Sequence, residues 1–157
     1  LEAAQGPLSD AARPVLALMT WPGKPAPVGA APLNAEEQQR FNTGMALYAA
    51  NCSACHLAEG EGQSRVGAPL AGSKIVNGAA DVVIRVLANG KEGATGLMPP
   101  LGAPMSDEDL AALTTYLRRA WGNTGSPVVP ALVKETRQAY AHRATPWTDT
   151  ELAQRAR

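Results

Sequence analysis

Cys52 and Cys55, the two cysteines of this 157-residue chain, stand three positions apart, and His56 follows directly. In this C-x-x-C-H order, two thiols at one helix end can each add across a vinyl group on the same porphyrin edge. The adjoining imidazole then lies beneath the iron as an axial ligand, which is the pattern of covalent haem attachment. A ligating histidine has to be neutral, so its second ring nitrogen needs an acceptor that fixes the tautomer. Other uses of the cysteines compete here. A zinc half-site needs two further ligands, and besides His56 the chain offers only His142, with no third cysteine. A thioredoxin-like redox pair belongs in a βαβ setting, which the surrounding sequence lacks. A disulfide framework needs more cysteines, farther apart.

The elements that must carry these residues are helical. Asn34, with Glu37 three residues later, forms a capping-box pattern, and Phe41, Met45 and Tyr48 then recur at helical spacing. A second helix is predicted over Ala80 to Asn89, with Val83, Ile84 and Leu87 on one face and Gly90 as its stop. Ser106 opens a third, with Asp107, Glu108 and Asp109 near the positive end of the helix dipole and Leu110, Leu113, Tyr116 and Leu117 as the apolar face. Glycine-rich loops lie between, at 60–72 and 90–104. Nothing alternates like a strand, so the expected class is all-α.

Length and composition allow one ordinary domain. Three zones are expected: a proline-rich strap or linker over 1–33, a central domain over 34–121, and a C-terminal extension over 122–157. The strap holds prolines at 7, 14, 22, 25, 27 and 32, which resist helix and strand alike. In the extension, Thr148-Asp149-Thr150-Glu151 is a second capping box, with Trp147 before it and Leu152 at the staple position, so a short helix is expected there. Formal charge is zero, from 14 basic and 14 acidic side chains. No basic excess steers the chain onto nucleic acid or an anionic membrane. The longest apolar run near the N-terminus, Val15 to Met19, is far too short for a membrane span. At 4% aromatic residues the core is thin, and a bulky apolar cofactor would supply volume. The sequence starts at Leu1, as a processed chain or an excised piece would.

Over residues 35–121 the chain resembles the class I cytochromes c. Gly44 and Tyr48 precede Cys52 at that family's intervals, and Leu113, Tyr116 and Leu117 match its last helix. Gly67-Ala68-Pro69-Leu70 resembles the loop whose proline carbonyl accepts a hydrogen bond from the ligating imidazole. Gly96-Leu97-Met98-Pro99-Pro100 resembles the methionine loop. The resemblance implies three main helices around one covalent haem c, thioether-linked to Cys52 and Cys55, with His56 and Met98 on the iron and Pro69 behind the imidazole.

Met98 is favoured as the sixth ligand because two prolines hold the following backbone extended. Met105 has a structural use instead, as the staple partner of Leu110 before the cap Ser106. Met45 reads as core, and Met19 is a weaker candidate. Thioether ligation favours reduced iron and raises the potential. Arg85 interrupts the apolar run 83–87 and is a candidate partner for a haem propionate, although a snorkelling surface arginine is the plainer reading. Lys74 and Lys91 are weaker candidates for that role. Trp21 and Trp121 are expected to pack the flanks onto the domain, and His142 to be solvated.

The implied role is electron transfer from a dehydrogenase-type donor to a downstream acceptor, in an exported, bacterial periplasmic setting, without catalysis by this chain. The flanks also resemble cytochrome modules fused C-terminally to periplasmic dehydrogenases or repeat proteins, so a fused dehydrogenase domain is one expected partner. The competing class is a haem enzyme of the peroxidase kind, or a gas sensor with a displaceable methionine.

Overall fold

The helix that leads to the cysteine motif begins where the capping box predicts. Asn34 Oδ1 accepts from the Glu37 amide at 2.9 Å, and Glu37 Oε2 accepts from the Asn34 amide at 2.8 Å. The structure, a computed structural model, describes residues 29–154. Most of the strap, with Met19 and Trp21, lies outside these residues. Helix α1 (Ala35–Asn51) ends as the Cys52 amide bonds to the Tyr48 carbonyl, and one further turn follows as α2 (Ser53–His56). The buried stripe of α1 runs through Gly44 and Tyr48, with Phe41 packed beside it. Met45 is not core. It is 49% exposed, because it is turned about 100° around the helix from Gly44, the residue at closest approach to the partner helix.

That partner is α5 (Asp107–Arg119), capped by Ser106 Oγ on the Asp109 amide at 3.0 Å. Its predicted face is buried: Leu110, Leu113, Tyr116 and Leu117. Tyr48 and Tyr116 meet Trp121 edge-on at 5.0 and 5.3 Å between ring centres, so Trp121 joins the core at the α1–α5 crossing. Between them in sequence lie α3 (Lys74–Asn77) and α4 (Ala80–Asn89), which stops at Gly90 in a left-handed turn, φ 79°. Every residue from Val82 to Leu87 is buried. Val83, Ile84 and Leu87 face the main core, whereas Val82 and Val86 face a second cluster with Trp147 and Leu152.

The all-α expectation needs correcting, for a small sheet accompanies the helices. Strand β1 (Lys91–Gly93) pairs antiparallel with β2 (Gly96–Met98) and parallel with β3 (Trp147–Thr148), in the order β2-β1-β3. Strands of two or three residues are too short to display an alternating pattern. The pairing of Lys91 with Trp147 also joins residues far apart in sequence.

Beyond 121 the chain stays on the same body. Helix α6 (Pro130–Ala139), absent from the sequence reading, has proline in its first turn, where no amide is needed. Val128 and Val133 sit in the main core cluster. Their signal was Val133, Thr136 and Tyr140 at helical spacing after Pro130. The predicted short helix is α7 (Asp149–Gln154), with both capping-box bonds between Thr148 and Glu151 in place. Among the described residues no helix is long and apolar enough to cross a membrane.

Candidate functional site

Three side chains arrive together because α1 stops and restarts at one point. Cys52 is the junction residue between α1 and α2 and is buried, Cys55 is exposed, and His56 closes α2 with 8% of its surface exposed. Tyr48 fixes the next turn by donating its hydroxyl to the Leu57 carbonyl. Burial raises the pKa of Tyr48 above its ordinary range, which keeps this hydroxyl a neutral donor. Burial, reinforced by neighbouring Cys55, also pushes the Cys52 thiol up to about 11.

His56 Nδ1 lies 2.7 Å from the carbonyl oxygen of Ala68. A carbonyl only accepts, so Nδ1 carries the proton and Nε2 keeps its lone pair. This corrects the sequence reading by one residue: the acceptor belongs to Ala68 and not to Pro69. Pro69 still contributes, since its ring forms the tertiary amide of that carbonyl and disfavours helical backbone at Ala68. The loop is held close by Gly67, at which a Cβ would stand 2.4 Å from the Cys55 carbonyl oxygen. Its far end is tied by Asn123, a buried residue that sequence reasoning missed. Asn123 Oδ1 accepts from the Gly72 amide at 2.9 Å, and Nδ2 donates to the Leu70 and Leu117 carbonyls. An asparagine after glycine signals only a turn, so its role was illegible.

Cys52, Cys55 and His56 line one cleft of about 1120 Å³, counting the part open to solvent. Its apolar walls come from Ile75 and Val76, from Val83, Val86 and Leu87 on α4, and from Leu117 on α5. Met98, at the end of β2, lines the same cleft, and Pro69 does too. Met105 is absent from its walls and packs on the main core cluster instead. The donor set suits a covalently held haem: two thiols three apart, an imidazole with Nε2 free, a thioether and an apolar enclosure. Among the described residues no three His, Cys, Asp or Glu side chains group as ligands for a metal ion.

Arg85 takes neither of the places considered for it. It does not line the cleft, and at 4% exposure it is no surface side chain. It pairs with Asp81 one turn earlier and lies under the rings of Tyr140 and Trp147, 4.9 and 5.5 Å from their centres. The C-terminal extension covers a helix face that would otherwise be open. Lys91 lines the cleft but pairs with Asp149 at 2.6 Å, and Lys74 is exposed. His142 is exposed, as expected, beside a separate polar hollow that includes Arg143 and Glu151.

Comparison with known proteins agrees with this geometry. Residues 39–117 match the family model described as cytochrome c oxidase, cbb3-type, subunit III. Among individual proteins, the chain is similar to the cytochrome c subunit of alcohol dehydrogenase (quinone) from Gluconobacter oxydans (strain 621H). The two are 32% identical over 99 residues, which cover 57% of this chain and 20% of that protein. The chain therefore spans about a fifth of this relative's length.

Proposed function

Because the chain belongs to the cytochrome c family described as cytochrome c oxidase, cbb3-type, subunit III, and so binds haem c covalently, we propose that it is a mono-haem electron-transfer module with histidine–methionine ligation. When bound, the haem supplies a reversible one-electron couple. Cys52 and Cys55 would hold it by thioethers, and His56 Nε2 and the Met98 sulfur would ligate its iron. Ala68 keeps the imidazole neutral and oriented, which raises its basicity as a ligand. The observation that carries this reading is the 2.7 Å contact from His56 Nδ1 to Ala68, which leaves Nε2 free in a cleft that Met98 also lines. The apolar walls would lower the polarity around the group, and with His56 and Met98 both engaged the chain would carry electrons without catalysing a reaction of its own. Residues 34–121 form the cytochrome domain, with 122–154 as an extension packed on it.

The donor is a dehydrogenase-type redox protein in the periplasm, either fused or tightly docked, and the electrons leave for a downstream acceptor. Similarity to a quinone-dependent dehydrogenase subunit supports that partner class. Charge supports close association over steering. Residues 34–121 carry 7 basic and 9 acidic side chains, with no lysine ring to attract an acidic partner. Tethering would supply a local concentration in about the millimolar range instead. The test combines two measurements. The reduced protein should bind carbon monoxide poorly; ready binding would favour the gas sensor or peroxidase-like reading. Stopped-flow reduction by soluble donors should depend little on ionic strength, and a steep collapse with salt would point to a freely diffusing carrier.

A further inference from the structure

Among the described residues, the loop that follows Met98 makes few backbone hydrogen bonds to the rest of the fold. Pro99 and Pro100 lack amide protons, so neither can extend the β1–β2 ladder beyond Met98. The next turns bond mainly to themselves, with the Leu101 amide on Pro99, Ala103 on Pro100 and Met105 on Gly102. The Gly102 amide reaches the Leu87 carbonyl at 2.9 Å, which ties the loop to α4.

Met105 packs on the main core cluster, and further hydrogen bonds to the loop come from one side chain of the C-terminal extension. Arg137, on the last turn of α6, donates through Nη2 to the Gly102 carbonyl and to the Met105 carbonyl, both at 2.7 Å. Its Nη1 donates to Asp107 Oδ1 at 2.8 Å, which orients the guanidinium. Helix α6 is a firm base, for Val133 is fully buried and Thr136 nearly so. On the other side of Met98 the same extension supplies β3, which pairs with β1, the strand hydrogen-bonded to Met98. The segment from 91 to 105 is therefore gripped before and after Met98 by residues beyond 121.

We propose that Arg137 is a positioning residue that clamps the loop 99–105, so that the C-terminal extension sets how firmly the axial sulfur is held. The inference rests on the reading of Met98 as ligand. A guanidinium suits the task because its planar fork spreads its donors over two nitrogens to serve two carbonyls and a carboxylate, whereas a lysine offers its three from one compact ammonium. Loosening the clamp lets the loop swing and leaves the sixth position open to exogenous ligands for more of the time.

The test uses the haem-loaded oxidised protein with imidazole as the competing ligand. Arg137→Gln should bind imidazole about tenfold more tightly than the parent, the scale of losing one charge-assisted hydrogen bond. It should also exchange the amides of Leu101, Gly102 and Ala103 faster. Arg137→Lys should fall between the two, and it serves if the glutamine variant fails to mature. Asn34→Ala, which loses a remote helix cap, should cost stability without moving imidazole affinity. Unchanged imidazole affinity in the Arg137 variants overturns the proposal, and so does an equal gain in Asn34→Ala. Retention of the sulfur-to-iron charge-transfer band in Met98→Ala would instead overturn the ligand assignment, while the amide exchange still tests the clamp.

Discussion

Gly44 approaches Ala112 so closely that a Cβ at position 44 would stand 2.1 Å from the Ala112 carbonyl oxygen and 2.7 Å from the Cβ of Tyr116. The obstacle is backbone in the middle of a helix, so no rotamer change relieves it. Gly44→Ala should force α1 and α5 apart and cost about 3 kcal/mol or more, the upper range for overpacking. Cys52 and His56 follow directly from the end of α1, so the yield of haem-loaded protein should drop as well. Thermal unfolding of the variant checks this. A midpoint equal to that of the parent would mean that the crossing is not held at this distance.

The two candidate methionines make a paired prediction. Met98 lines the cleft with His56, whereas Met105 packs against the main core cluster. Met98→Ala should abolish the near-infrared sulfur-to-iron band of the oxidised protein and lower the potential. Met105→Ala should keep the band and cost about 2 kcal/mol, the low end for truncating a core methionine. Exchanged behaviours would reverse the assignment.

Features confined to a few neighbouring residues were legible in the sequence. Both capping boxes, the Ser106 cap and the Gly90 stop depend on contacts within one helical turn. Features made by distant partners were not. Lys91 meets Trp147 only after the whole of α5 and α6 has been laid down. Arg85 looked like an interruption in an apolar helix because the rings that cover it, Tyr140 and Trp147, come from the extension. The shift from Pro69 to Ala68 has a subtler cause. Proline marks the loop in the sequence, yet the carbonyl it makes tertiary belongs to the residue before it.

Arg118 presents the cost of a buried cation that, among the described residues, is held by carbonyls and not by a carboxylate. It is 5% exposed, and its guanidinium donates to the carbonyls of Ser126, Val76 and Gly78 at 2.7 to 2.9 Å. Burial lowers its pKa, the direction expected when charge is taken out of water. Arg118→Met keeps the stem and strands three carbonyls. The expected loss is about 3 kcal/mol or more, from unsatisfied acceptors at about 1 kcal/mol or more each. Chemical denaturation measures it. A change below about 0.5 kcal/mol would mean that water takes over all three acceptors.

The last prediction concerns pH and the extension. The Thr148 amide and hydroxyl each donate to Glu151 Oε2 at 2.9 Å, and Arg143 Nη2 reaches both carboxylate oxygens at 3.0 and 2.9 Å. Arg143 also lies 3.6 Å over the ring of Trp147, so this cluster pins β3 and the start of α7. The Thr148 hydrogen bonds, backbone first, and then Arg143 hold the Glu151 carboxyl below its ordinary value of 4.5. The unfolded segment therefore takes up a proton at higher pH than the folded one. The contribution is fully present above the ordinary value and disappears as pH falls through the depressed one. Protection of the α7 amides, corrected for intrinsic exchange, should hold steady down to about pH 5 and decline on further acidification. Glu151→Gln should reduce protection already at neutral pH and flatten the acid dependence. Equal acid dependence in the variant would assign the transition to another carboxylate.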